Sequence, residues 1–119
     1  MVEEVLTQAD LDNCTGTETY HRISMLAKFN STDGVKVLAD KGKAYWLIDA
    51  IASYQMYPVV RNMEFQFWTL ITKNRKGILT LTDGDGKVIK KQEIPYTDFP
   101  LSRVQLYLTN NVLLLPGEY

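Results

Sequence analysis

The spacing of apolar residues changes once along this chain, at Pro58. Before it, apolar positions recur at intervals of three and four; after it, they alternate. The clearest helical stretch is residues 44–54. Ala44, Leu47, Ile48 and Ile51 share one face, which Tyr45 and Ala52 widen. The other side, Trp46, Asp49, Ala50 and Ser53, is hardly polar. The stretch therefore predicts a buried central helix covered on more than one side. Gly42 precedes it and Pro58 stops it. It is too short to span a bilayer, which takes about 20 apolar residues.

Upstream, Val35, Leu38 and Ala39 recur at helical spacing with Lys36, Asp40 and Lys41 opposite. Ser31-Thr32-Asp33-Gly34 supplies the cap, so residues 32–55 predict two consecutive helices. Thr7 caps a short first helix with Leu6 and Leu11 as its apolar contacts, ending by Gly16. Tyr20-His21-Arg22 has no clear period, and residues 23–29 read equally as a short strand or a helical turn.

Beyond Pro58, Met63, Phe65, Phe67, Thr69 and Ile71 alternate with Glu64, Gln66, Trp68, Leu70 and Thr72, a strand. Lys73-Asn74-Arg75-Lys76-Gly77 turns into a second strand at 78–82. Asp83-Gly84-Asp85-Gly86 is a hairpin cue leading to a third at 88–94. These three form an antiparallel meander. A rigid aromatic connection, 95–100, leads to a fourth strand around Val104, Leu106 and Leu108. Asn110-Asn111 then turns the chain into a short apolar fifth, 112–115. Helices first and strands after predict an α+β fold. Short N-terminal helices and the buried central helix pack on one face of an antiparallel sheet of four to five strands. Residues 1–119 make a single domain.

Composition narrows the chemistry. An apolar fraction of 45% with 23% charged residues is that of an ordinary globular protein able to build a core without disulfides or metals. Cys14 stands alone, which excludes an intrachain disulfide and a Cys-rich zinc site and fits a reducing cytoplasm. The acidic start lacks a signal-peptide pattern, so the expected location is cytoplasmic. His21 is the one histidine. A Cys14–His21 nucleophile pair is formally available but disfavoured, because nothing in the spacing joins them. Asp49 reads either as a buried acid poised for proton transfer or as a structural carboxylate at the helix edge; the second is favoured. Asp33 and Asp98 follow Thr in turns, where local capping accounts for them.

Familiar catalytic signatures are missing from the sequence. There is no phosphate-binding glycine loop and no nucleophile elbow. Read as a calcium loop, Asp83-Gly84-Asp85-Gly86 fails at its fifth, sixth and twelfth positions, Lys87, Val88 and Ile94. No metal, cofactor or catalytic residue is expected.

Two binding readings remain. Seven Tyr, two Trp and four Phe exceed what so small a core needs at its centre. Such residues favour protein interfaces. Tyr54, Tyr57, Trp68, Tyr107 and Tyr119 are the candidate protein-binding residues, and the apolar run 112–115 can pair two copies or extend a partner's sheet. Alternatively, Lys73, Arg75, Lys76, Lys87, Lys90 and Lys91 gather into a basic patch for nucleic acid. A net charge of −1 argues against that alternative.

The strings Thr7-Gln8-Ala9-Asp10-Leu11, Gly16-Thr17-Glu18, Thr32-Asp33-Gly34-Val35, Ala44-Tyr45-Trp46-Leu47-Ile48-Asp49 with Ile51-Ala52-Ser53, Tyr96-Thr97-Asp98-Phe99-Pro100 and Val112-Leu113-Leu114-Leu115-Pro116-Gly117-Glu118-Tyr119 resemble a family of small bacterial and phage proteins of unknown function. The resemblance implies a setting, accessory genes of bacteria, phages and mobile elements, and no activity. The expectation is a non-enzymatic interaction protein with a protein partner, and a homodimer is one form of it. In its sharpest version it inhibits or modulates a host defence complex. A nucleic-acid accessory and a small enzyme with an unrecognised site are the alternatives.

Overall fold

The computed structural model describes residues 5–17, 20–21 and 29–119. Most of the ambiguous stretch 23–29 lies outside the described residues; Phe29, at its end, is buried.

Thr7 caps α1 (Gln8–Asp12) reciprocally: its hydroxyl accepts from Asp10 N while the Asp10 carboxylate accepts from Thr7 N. A two-residue strand, β1 (Asn30–Ser31), precedes α2 (Asp33–Lys41), whose cap is Thr32. Next come α3 (Tyr45–Tyr54) and a helical turn, α4 (Pro58–Arg61). Five strands follow: β2 (Phe65–Lys73), β3 (Lys76–Thr82), β4 (Val88–Ile94), β5 (Arg103–Thr109) and β6 (Val112–Leu114). They form one sheet of order β1-β6-β5-β2-β3-β4, antiparallel except where β1 runs parallel to β6. β2, β3 and β4 meander, and β5 returns to lie beside β2 in a Greek-key arrangement.

The fold is α+β, with six strands in place of four to five. The added strand is β1, too short to carry a period of its own and held by β6. Pro58 does more than stop the central helix. It occupies the first turn of α4, where its missing N–H costs nothing, and this delays β2 to Phe65.

Two tight turns set which side of the sheet faces the helices. Asn74 and Arg75 have φ of 54° and 61°, and Asn110 and Asn111 have 51° and 61°. Two successive left-handed residues make a two-residue hairpin loop that locks the register on both sides. Lys73 pairs with Lys76, so Leu70 stands opposite Leu79 and Trp68 opposite Leu81. On the other side Trp68 meets Leu106 and Leu70 meets Val104. These residues are buried against Val35, Leu38, Leu47, Ile48 and Ile51 of α2 and α3. The outer stripe of α3, Tyr45, Asp49 and Ser53, is exposed, so α3 buries one face and not its full circumference. Among the described residues the helices pack on a single face of the sheet.

Gln66 is the polar member of the inward row, and its amide is fully paired. Its nitrogen donates to Gln55 Oε1 at 2.8 Å and to Val60 O at 3.0 Å. Its oxygen accepts from Gln55 Nε2 at 2.9 Å and from Trp68 Nε1 at 3.0 Å. One buried amide thus ties β2 to the end of α3 and to α4. At the far end of the sheet, the connection after β4 crosses the β2–β3 turn, where Thr97 N donates to Arg75 O at 2.8 Å. Phe99 is buried beside Gly42. A Cβ on Gly42 would stand 2.9 Å from the Phe99 ring and 2.6 Å from Leu38 O, so only glycine fits.

Arg75 adopts a left-handed conformation that costs a side-chain-bearing residue about 1 kcal/mol and glycine little. Arg75→Gly is expected to raise stability by about 0.5–1 kcal/mol in urea unfolding. An unchanged or lower midpoint would show that the left-handed backbone at position 75 carries no net strain relative to glycine.

Candidate functional site

The register places four cross-strand rows on the face of the sheet turned away from the helices. The first is Arg103–Ile71–Ile78–Glu93. The second is Gln105–Thr69–Thr80–Lys91. In the third, Tyr107, Phe67 and Thr82 stand in line, with Leu114 beyond Tyr107 and Val88 beyond Thr82. The fourth is Val112–Thr109–Phe65. Among the described residues no helix lies over this face. Ile71, Ile78 and Val88 are exposed by 51%, 38% and 54%, where a covered sheet would bury them.

One corner of the face is aromatic. Phe65 and Phe67 stack at 4.6 Å between centroids, although two residues apart on one strand. Tyr107 meets both rings edge-on at 5.2 Å. Tyr119 closes the corner, 5.3 Å from Phe65 and 6.2 Å from Tyr107. Each such pair contributes about 0.5–1.5 kcal/mol beyond buried area. The corner is therefore a preformed, rigid surface of large rings.

Tyr119 is held there by its neighbour. After β6 the chain makes a 3-10 turn, Pro116–Glu118, and Glu118 reaches back to the N-terminus of α2. Its carboxylate accepts from Thr32 Oγ1 at 2.6 Å, Leu115 N at 3.0 Å and Gly34 N at 3.2 Å. Every N–H of the first turn of α2 is thereby used. Asp33 N donates to Thr17 Oγ1, Gly34 N to Glu118, Val35 N to Thr32 Oγ1 and Lys36 N to Thr32 O. A Cβ on Gly34 would lie 2.5 Å from Glu118 Oε1 and 2.8 Å from the Leu115 side chain, which explains the glycine of Thr32-Asp33-Gly34.

His21 and Cys14 border this junction without forming a nucleophile pair. His21 Nε2 lies 2.7 Å from Asp33 Oδ1. The Cys14 thiol donates to Asp10 O at 3.2 Å. Burial pushes the thiol above its ordinary value, and the negative charges of Glu118, Asp10 and Asp33 push it further. A nucleophilic cysteine needs the opposite shift. Asp49 is exposed on α3, which removes the buried-acid reading. In the 97–99 turn the capping oxygen is that of Thr97, which accepts from Phe99 N, while Asp98 is exposed. Asp83 closes its own hairpin by accepting from Asp85 N and Lys87 N. Among the described residues, a cleft of about 1080 Å³ beside Met56, Met63 and Leu108 has Arg61 and Glu64 as its charged lining, with no His or Cys. No group of three metal-binding side chains occurs among the described residues.

The expected protein-binding residues separate. Tyr107 and Tyr119 belong to the outer aromatic corner. Trp68 is only 1% exposed and is a core residue, because its strand position shares the inward row with Gln66 and Leu70. Tyr54 packs on the Trp68 ring at 5.4 Å and on Tyr57 at 6.0 Å, on the helix side of the sheet. Phe65 and Phe67, absent from the expected set, take the place of Trp68. The signal for them was the two-residue turn at Asn74-Arg75, which counts Leu70 onto Leu79 and so turns Phe65 and Phe67 outward.

The basic patch does not assemble. Lys73, Arg75 and Lys76 cluster at the β2–β3 turn, and Lys87 sits at the other end of β3. Lys90 and Lys91 point to opposite faces of β4; Lys90 lies over the Tyr57 ring at 4.3 Å. No described helix is long and apolar enough to cross a membrane.

Glu118→Ala removes three hydrogen bonds, two of them from backbone N–H groups, and is expected to cost about 2–3 kcal/mol in urea unfolding. A loss within experimental error would show that the carboxylate is not what joins the chain end to α2. The raised Cys14 value predicts fewer thiolates at any given pH. Iodoacetamide should therefore label the folded protein at pH 8 several-fold more slowly than the urea-unfolded chain, the gap narrowing as pH rises. Equal rates would refute the shift.

No curated protein matches the chain in sequence. A solved structure of a protein of unknown function from Enterococcus faecalis is similar to it with 16% identity and a TM-score of 0.49, over 85% of this chain and 98% of that one. The model of a family of unknown function, DUF6876, matches residues 5–119. From Val5, ahead of the Thr7 cap, to Tyr119, beside the Glu118 clasp, this chain belongs to the DUF6876 family.

Proposed function

We propose that this chain acts by binding another protein surface through the outer face of its sheet, and not by catalysis. The observation that carries the reading is the outer corner of half-buried Phe65, Phe67 and Tyr107 and exposed Tyr119, preformed by ring–ring contacts. Rigid aromatic side chains lose little entropy on binding and dominate the energetics of protein interfaces. His21 pairs with Asp33, while Cys14 is held as a thiol against Asp10 O with its ionisation disfavoured, so the two do not form a nucleophile–base pair. The cations that would serve nucleic acid are divided between two ends and two faces of the sheet. The setting implied by the sequence resemblance makes a host defence complex the partner class to look for in cells.

The test is a benzophenone photo-crosslinking residue placed at position 107, with position 49 on the outer stripe of α3 as control. In nuclease-treated bacterial cells, position 107 is expected to yield a discrete protein adduct several-fold above position 49. Equal labelling, or an adduct that disappears with nuclease, would overturn the reading.

A further inference from the structure

We infer, resting on the reading of the outer sheet face as an interaction surface, that its occupant is a second copy of this chain, packed face to face about a twofold axis. The reason is the charge order of the rows. The first row runs Arg103, Ile71, Ile78, Glu93: positive at β5, apolar across β2 and β3, negative at β4. A twofold axis parallel to the strands, midway between β2 and β3, lays the first two rows on their own reverses; in the third Phe67 meets Thr82 and Tyr107 meets Val88, and the fourth row lies beyond the overlap. Ile71 then meets Ile78 of the second copy, and Arg103 meets its Glu93. The symmetry repeats both contacts. In the second row Thr69 meets Thr80 and Gln105 meets Lys91, with no like charges opposed.

Other arrangements lack this match. An axis across the strands would set the charged first row against the aromatic corner. Edge-to-edge pairing of two β4 strands, centred on Lys91, would oppose lysine to lysine, the usual protection of an edge strand. The opposite edge, β1, is two residues long and bridged by His21.

The dimensions fit a weak dimer. Four strands about 4.8 Å apart and seven residues at about 3.4 Å overlap about this axis, a face of roughly 19 by 24 Å before side-chain relief. That projection of about 460 Å² is smaller than the ~800 Å² per partner of standard interfaces, as befits a weak association. Aligned sheets cross at about 30° and lie about 10 Å apart. Arg103 and Glu93 are long enough to meet across that gap while Ile71 and Ile78 pack near the axis.

Charge reversal tests the arrangement. By sedimentation velocity the wild type is expected to be largely dimeric at about 100 µM, which corresponds to a Kd of about 10 µM or tighter. Arg103→Glu alone and Glu93→Arg alone should each weaken the dimer by at least about tenfold, because like charges then oppose twice per interface. The two single variants mixed together should form a one-to-one dimer, and the double variant should recover wild-type association. Circular dichroism of each variant confirms that it is folded. A monomeric wild type, or a dimer indifferent to these changes, overturns the inference. Position 107 crosslinking to a different protein while the chain stays monomeric overturns the second copy and leaves the interaction surface standing. No adduct at position 107 together with a monomeric chain removes both.

Discussion

A single carboxylate joins the two ends of this fold. Glu118 seats itself on the N-terminus of α2, 84 residues back at Gly34 N, and its oxygens also take the Thr32 hydroxyl and Leu115 N. The free N–H groups and dipole of a helix N-terminus favour an anion there, and here the chain supplies its own. Much depends on this contact. It fixes the turn that follows β6, it sets Tyr119 against Phe65 and Tyr107, and it requires glycine at position 34. Thr17 and Asp33 bring the segment after α1 to the same point. Two strings far apart in sequence, Thr32-Asp33-Gly34 and Pro116-Gly117-Glu118-Tyr119, are the halves of one clasp.

The asymmetry of the sheet follows from a second constraint. Helices α2 and α3 lie on one face, and the register imposed by two left-handed turns decides which residues that face contains. Trp68 goes inward because it stands opposite Leu81 and Leu106, and its indole N–H is satisfied by Gln66. Phe65 and Phe67 go outward for the same reason. A strand with large apolar residues on both sides has no other choice once its neighbours are fixed. The outer aromatic corner is thus a consequence of the register, and its exposure follows from the helices being confined to one layer.

Most elements were legible from local pattern. The caps at Thr7 and Thr32, the paired helices, the meander and the Asn110-Asn111 turn each rest on interactions within a few residues. Period-two alternation located β2 to within two residues at its start, while the helical turn after Pro58 escaped because four residues carry too little period to read. Of the candidate interface, Tyr107 and Tyr119 were legible as surplus aromatic residues. Phe65 and Phe67 on the outer face and Trp68 in the core are not legible in the sequence, because alternation defines two faces without saying which is inside.

The sequence alone determined the class of fold, the helical and strand segments, and the chemistry that one cysteine and one histidine exclude. These depend on composition and near-neighbour geometry. Only the tertiary structure decided that β1 exists, that Glu118 caps α2, that the six basic residues are dispersed, and that the outer face carries its rings in one corner. Each of these joins residues from distant parts of the chain, and a contact between distant segments has no local period to announce it.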